Sequence, residues 1–459
     1  MVHLNQLKNF SRLGIGTSIF QLSSAQNDDL GQSPNQWHIA ANQGKVPPLI
    51  NQSSVWQTMD DYIPILASMG IKHLRFSLEW SFIEPKQGYI NPHAMQTYLR
   101  LIRHCLEYGI EPMLTLYHFT QPHWFSKAGG FLKSENIPYF LQYCHHVIQA
   151  FIPYVRFWCT INEPAVEAFS SYFLGIFPPK RVLNFSKGSM ILKNLLMAHV
   201  EICQEMMTYE KNQDIKYGLV HNILEFESQS KWIEKYFTGP ISRFTRDLVL
   251  DFLNYGRFHY RDLDYMDTRY KGNSTFVNIY GAVQVDYRGP TCAPHQTMGD
   301  MYIAIYPESY KRALDYVQEI KLPIYITETG IADANDGIRP QFIIDFLKII
   351  FVELQKGVDI QGLFFWTFKD NYEWHQGYQK KFGLFDLENI PKNSAFLFTW
   401  ICQQMQSSFA EKPSSPQAIL EDWIEILNTA ELKVKANDWD FFKTFAQELG
   451  ILKHLKPTD

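Results

Sequence analysis

Residues 322–330 read LPIYITETG: an apolar run, Leu322-Pro323-Ile324-Tyr325-Ile326, closed by Thr327-Glu328-Thr329-Gly330. β-Branched and aromatic residues bounded by Pro and Gly spell a short buried strand. A carboxylate at its end, just before a glycine turn, is out of place in a purely structural strand. Seven other runs share this character: GIGTSIFQ (14–21), HLRFSLEW (73–80), EPMLTLYH (111–118), FWCTINEP (157–164), IKYGLVHNI (215–223), TFVNIYG (275–281) and IQGLFFWTF (360–368). Segments of helical spacing separate them, such as 59–69, 94–108 and 139–154. Strand alternating with helix implies right-handed βαβ units and a parallel sheet. Eight such units favour an α/β fold of the (β/α)₈ TIM-barrel type over an open sheet.

Catalytic groups of such a barrel sit at the C-terminal ends of its strands. Glu328 ends the seventh run and Glu163 the fourth, so closure sets them across one mouth. Two carboxyl groups facing each other over a sugar-sized gap are the minimum equipment for glycoside hydrolysis. Taken singly, a strand-end glutamate is more often a capping or ion-paired residue.

The totals agree with an enzyme of small molecules. The 459 residues carry a net charge of −5, with no basic run suited to nucleic acid. No stretch approaches the ~18 apolar residues of a membrane span. The N-terminal MVHLNQLKNFSRLGIG has no apolar segment of a secretory signal. Six scattered cysteines without a CxxC pair read as free thiols, so a reducing cytoplasm is expected. No GxGxxG or GxxxxGK[ST] follows a strand, and no cofactor or metal is expected. The pair His145-His146 reads as a solvated helix face. Aromatics are plentiful, with 34 Phe, 25 Tyr and 11 Trp, enough for a large core and for a ring-stacking pocket.

The motifs TINEP (160–164) and YITETG (325–330) resemble the acid/base and nucleophile motifs of glycoside hydrolase family 1, the β-glucosidase family. LRFSLEWSFIEP (74–85), LTLYHFTQPHWF (114–125), GGF (129–131) and FFWTFKDNYEWHQGYQKKFGLFDLE (364–388) resemble other segments of that family, in the same order, over residues 14–406. The resemblance implies that Glu163 is the general acid/base and Glu328 the nucleophile. It implies that Arg75 and Tyr280 attend Glu328, and that Asn162 meets the sugar 2-hydroxyl. By the same resemblance Gln21, His118, Glu373 and Trp374 hold the non-reducing sugar, Trp366 forms its stacking floor, and the Trp366–Thr367 peptide is cis. The implied activity is retaining hydrolysis of small β-glucosides or related β-glycosides. Two alternatives stand beside it: a non-catalytic sugar-binding protein on a decayed barrel, and a 6-phospho-β-glycosidase. The latter subfamily has Ser where Glu373 stands.

Departures from the family are Thr329 for Asn, Phe119 for Trp, Ile161 for Phe, Lys381 for Arg, and no Glu two residues after Gln21. Neighbours in a regular strand point to opposite faces. Asn162 and Glu163 therefore reach one sugar only if their strand twists or bulges at its end. The irregular stretches 22–54, 225–241 and 257–274 are expected to be active-site loops. The barrel domain is expected over 1–406, with Ser407-Ser408 and EKPSSP (411–416) as a linker. A C-terminal helical extension follows over 407–459. Its stripe of Ile419, Leu420, Trp423, Ile424 and Leu427 is suited to packing on the barrel or to self-association.

Overall fold

A computed structural model describes residues 3–10, 13–25, 34–270, 272–294, 296–411 and 415–450. All eight runs are strands: β1 Gly14–Gly16, β2 His73–Ser77, β3 Glu111–Tyr117, β4 Phe157–Asn162, β5 Lys216–Asn222, β6 Thr275–Asn278, β7 Ile324–Thr329 and β8 Ile360–Trp366. Each pairs in parallel with its neighbours in chain order, and β8 returns to β1, closing the (β/α)₈ barrel. The helices Val55–Ser68, Pro92–Glu107 and Ile137–Phe151 occupy the three segments of helical spacing. Their apolar faces cover the outside of the sheet, the arrangement that buries both faces of parallel strands.

The barrel interior is graded along its axis. Met113, Phe157, Cys159, Val220, Phe276, Tyr325 and Phe364 form a closed apolar layer. Two or three residues further along the same strands the inward side chains become polar: Thr115, Asn162, Asn222, Asn278 and Thr327. The lower layer makes a solid floor, so polar groups above it are buried without being lost in the core.

Chain order decides which irregular stretches reach the mouth. The segment 225–241 leaves β5 and holds a short strand, Glu225–Glu227, and helical turns from Lys231 onward. The segment 22–54 leaves β1 and holds the helix Gln36–Asn42; its residues 26–33 lie outside the described residues. The stretch 257–274 departs from expectation. It follows the helix Leu248–Tyr255, forms the hairpin Arg257–Tyr260/Leu263–Met266, and enters β6 from its N-terminal end. None of its described residues lines the cleft between the carboxylates. It is an αβ connection, and the tip of its hairpin packs beside the segments that follow β4 and β5, with Arg261 over Phe185 and Tyr260 against Phe244.

Near the C-terminus, Ser407 and Ser408 belong to the helix Asn393–Glu411 and not to a linker. Ser408 Oγ donates to Asp422, 2.8 Å away, which ties that helix to the next. Residues 412–414 of the expected linker lie outside the described residues. The helices Pro416–Lys435 and Trp439–Glu448 follow. Ile419, Leu420, Trp423 and Leu427 are fully buried in the same core as the barrel helices. The apolar stripe thus packs internally, with Ile424 partly buried at its margin. Trp423 lies between Phe10 and Phe351, at 6.1 and 5.4 Å between ring centroids, and its indole donates to the Met405 carbonyl. Trp423→Ala is expected to destabilise the fold by about 3–5 kcal/mol, through the lost burial and the cavity left behind. A thermal melt measures it, and an unchanged midpoint would show that this helix is energetically detached. Among the described residues no helix is long and apolar enough to cross a membrane.

Candidate active site

Both glutamates stand where their strands lose regularity. The β4–β5 register shifts between Cys159 and Asn162, and Glu163 takes a left-handed conformation, φ 42° and ψ 58°. Pro164 then opens the helix Pro164–Tyr172, since proline fits the first helical position and cannot extend the sheet. The expected irregularity is present, and Asn162 and Glu163 line the same cleft. β7 shifts register against β6 between Ile326 and Glu328, which lets Thr327 bond to Asn278 while Glu328 also faces the cleft. Gly330 completes the answer to the opening stretch: a Cβ there would run into the Trp366 carbonyl oxygen.

The two carboxyl groups are held by different chemistry. Glu328 Oε1 is ion-paired with the Arg75 guanidinium, and its Oε2 accepts from the Tyr280 hydroxyl at 2.6 Å. Arg75 Nη2 also donates to Asn162 Oδ1 at 2.6 Å, and its Nε to Thr115 at 3.0 Å. Arg75 therefore lies beneath the cleft as a bracket between β2, β3, β4 and β7. It does not pair with Glu79, its near neighbour in the chain. Glu79 instead accepts from Asn35, Ser81 and Thr120.

Glu163 receives neutral donors only. Asn278 Nδ2 lies 2.6 Å from Glu163 Oε1 and Asn222 Nδ2 lies 2.8 Å from it. Burial, and next the nearby Glu328 charge, push its carboxyl up to about 8, with the two amides and Arg75 opposing. Burial and the two carboxylates hold the Tyr280 phenol well above its ordinary range, so it stays a donor.

The amides of Asn222 and Asn278 went unread in the sequence. Each is the last residue of its strand, the position that singled out the glutamates, and that signal was available. Removing one amide removes a bond that favours the ionised form. Asn278→Ala is thus expected to raise the Glu163 pKa further and move the basic limb of the pH–rate profile to higher pH. A profile of kcat/KM from pH 6 to about 10 reads this shift, and a limb moving to lower pH would contradict it.

A second group of side chains closes one end of the cleft. His118, Trp366, Glu373 and Trp374 all line it. The His118 ring is 5.9 Å from that of Trp366 and 5.8 Å from that of Trp374. Asn162 Nδ2 lies 3.2 Å from His118 Nε2, and burial with the Arg75 charge keeps this imidazole neutral. Gln21 does not line the cleft; it is fully buried behind Glu373, 3.4 Å from Oε2 of that carboxyl. Glu373 is likewise pushed up to about 8, by burial first and the Glu328 charge second. The nearby lysines bond elsewhere, Lys369 to Asn389 and Lys380 to the Asp300 carbonyl. The Trp366–Thr367 peptide is cis.

Apart from Ser170 and His375, the rest of the lining is apolar, with Val166, Phe177, Leu224, Met301, Ile303 and Phe382, around a volume of 190 Å³. Phe119 packs its ring against Trp374 and Phe177, at 5.1 and 5.5 Å, and offers no donor. Thr329 is fully buried. His145 pairs with Glu205 on the outer helix face, remote from any cluster of ligands.

Comparison with known proteins bears on the family and the fold. The sequence model of Glycosyl hydrolase family 1 matches residues 9–256 and 249–405. Beta-glucosidase A of Thermotoga maritima is 29% identical over 415 residues, covering 81% of this chain and 91% of that protein. The chloroplastic Beta-glucosidase-like SFR2 of Oryza sativa subsp. japonica is 26% identical over 407 residues; the match covers 82% of this chain and 59% of that protein's length. Among solved structures, the beta-glycosidase from Pyrococcus horikoshii superposes with a TM-score of 0.76 at 29% identity, over 86% of this chain and 94% of that one.

Proposed function

The chain belongs to glycosyl hydrolase family 1, and from that membership we propose a retaining β-glycosidase acting on small β-glucosides or closely related β-glycosides. One observation carries the reading: two buried carboxyl groups share a cleft, one clamped by a cation and a phenol, the other held neutral by burial and by the charge of the first. Environments that push two carboxyls apart assign the acid and the base between them.

Glu328, paired with Arg75, attacks the anomeric carbon. The Glu163 proton passes to the departing glycosidic oxygen, and a glycosyl ester on Glu328 results. Esterification removes the Glu328 charge, which is one of the causes holding the Glu163 proton on. Glu163 then accepts a proton from water as the water attacks the same carbon, and Glu328 leaves as carboxylate. Net configuration is retained through two inversions. Asn162, already oriented by Arg75, donates to the 2-hydroxyl as the oxocarbenium character grows.

Trp366 supplies a flat apolar face to the pyranose, with His118 and Trp374 beside it. Glu373, once ionised, accepts from two adjacent sugar hydroxyls, and Gln21 steadies it from behind. Phe119 contributes an apolar edge where a donor is usual in the family. The apolar lining from Val166, Leu224, Met301 and Ile303 suits an aryl or other apolar aglycone.

Glu373, ionised as this sugar contact requires, repels a 6-phosphate, which sets this reading apart from a 6-phospho-β-glycosidase. A panel of aryl β-glycosides, with the 6-phosphoglucoside included, is the test. Turnover of the plain glucoside and none of its phosphate is expected. Turnover of the phosphate alone overturns the substrate class. Binding without turnover of any member of the panel returns the protein to a sugar-binding role.

A further inference from the structure

The connections that leave β4 and β5 carry apolar side chains that the rest of the described chain leaves uncovered. Leu174, Val182 and Leu183 follow β4; Trp232, Tyr236 and Phe237 follow β5. Their exposures run from 44% to 67%. These residues are contiguous. Leu174 and Val182 pair as a bridge, and the rings of Trp232 and Tyr236 lie 5.8 Å apart. Leu183, Tyr236 and Phe237 rim a cavity of 320 Å³ whose wall is aromatic, with Phe169, Phe173 and Phe244. Tyr236 and Phe237 stand on a π-helical turn, Glu234–Thr238, a geometry frequent at functional sites. An exposed apolar patch of this kind marks a docking surface.

Charge says what docks. Lys180, Arg181 and Lys187 border the patch on one side, Lys231, Lys235 and Arg261 on the other, and all six are exposed. The same segments expose three acids, Glu234, Asp262 and Asp264. Lys235 lies over the Tyr236 ring and Arg261 over the Phe185 ring, at 5.1 and 4.7 Å, so cations and aromatics form one surface. The whole chain carries −5, which makes this a local cationic field on an acidic protein. A second copy is a poor occupant, because a two-fold contact sets the patch against itself and brings the cations face to face.

We propose that this surface docks on an anionic lipid bilayer. Trp232, Tyr236, Phe237 and Leu183 enter the headgroup region, the cations meet the lipid phosphates and carboxylates, and the cavity takes an acyl chain. β4 and β5 also carry Glu163 and Asn222 at their ends, so the patch and the cleft belong to the same end of the barrel. The docking is independent of which glycoside is cleaved.

The full chain is sedimented with vesicles of phosphatidylcholine alone and of phosphatidylcholine mixed with phosphatidylserine. Binding to the mixed vesicles is expected to be at least about tenfold tighter and to weaken with salt. The double variant Trp232→Asp/Phe237→Asp is expected to lose at least about tenfold in that binding while hydrolysing a soluble aryl β-glucoside at the wild-type rate. The variant Lys231→Glu/Lys235→Glu is expected to lose the preference for phosphatidylserine. No partition of the wild type into either vesicle overturns the proposal. So does equal binding by wild type and the double aspartate variant. A dimer in solution that Trp232→Asp disperses overturns it as well, and assigns the patch to self-association.

Discussion

Replacing Glu328 by alanine is expected to lower kcat on an aryl β-glucoside by on the order of 10⁶-fold, the scale of loss when a covalent enzyme is deprived of its nucleophile. The expectation follows from the two bonds that Glu328 alone receives, from Arg75 and Tyr280. No neighbouring carboxyl can substitute. Glu163 is bonded to Asn222 and Asn278, and Glu373 lies among Gln21 and the tryptophans. The truncated side chain leaves room on the face opposite the leaving group. Azide or formate should occupy it and restore measurable turnover, with a product of α configuration, since only one inversion then takes place. Product configuration by nuclear magnetic resonance is the readout. A loss below about tenfold, or a rescued product of β configuration, removes Glu328 from the reacting centre. The buried Arg75 is also left without its anion, so the variant is expected to melt at lower temperature. Rescue by azide separates loss of chemistry from loss of fold.

The second large effect falls on Glu163. Glu163→Gln keeps the volume and loses the transferable proton. On an alkyl glucoside, whose leaving group needs protonation, kcat/KM is expected to fall by about 10²–10⁴-fold. On a dinitrophenyl glucoside the first step needs no acid, but the second still needs a base, so a burst followed by slow turnover is expected. The pH profile supplies an independent check. The wild type must hold Glu163 protonated, and burial with the Glu328 charge puts that group at about 8. Wild-type kcat/KM therefore falls as pH rises through about 8, while the variant shows no limb there. The sign matters: a catalyst needed in its basic form would gain activity over the same interval. A basic limb that persists in Glu163→Gln would assign the titration to another group needed in its protonated form; Glu373 titrates in the same range but, needed ionised, moves activity the opposite way.

Several parts of this architecture were legible in the chain before any coordinates. Strand identity is a local matter. An apolar, β-branched run between turn residues has few other ways to bury itself, and all eight runs became strands. Glu163 and Glu328 were legible because a carboxylate at the end of such a run costs too much to bury without a purpose. The loop at 257–274 was misread because the helix Leu248–Tyr255 was not recognised between two irregular stretches, so a connection that enters a strand was taken for one that leaves a strand. Asn222 and Asn278 were passed over because an uncharged amide at a strand end has many structural uses, and only a partner across the barrel selects among them. Ser407 and Ser408 looked like a break, yet in the helix the Ser408 hydroxyl has Asp422 to bond.

By itself the sequence determined the number and order of the strands, the closure they favour, and the identity of the two carboxyl groups. All of these rest on periodicity and residue type within a dozen neighbours. Tertiary structure alone decided what each carboxyl is bonded to. Arg75 and Glu328 are 253 residues apart in the chain, and Glu163 meets Asn278 across 115. A pKa is set by burial and by charges within a few ångströms, and chain closure, not sequence proximity, brings those charges together.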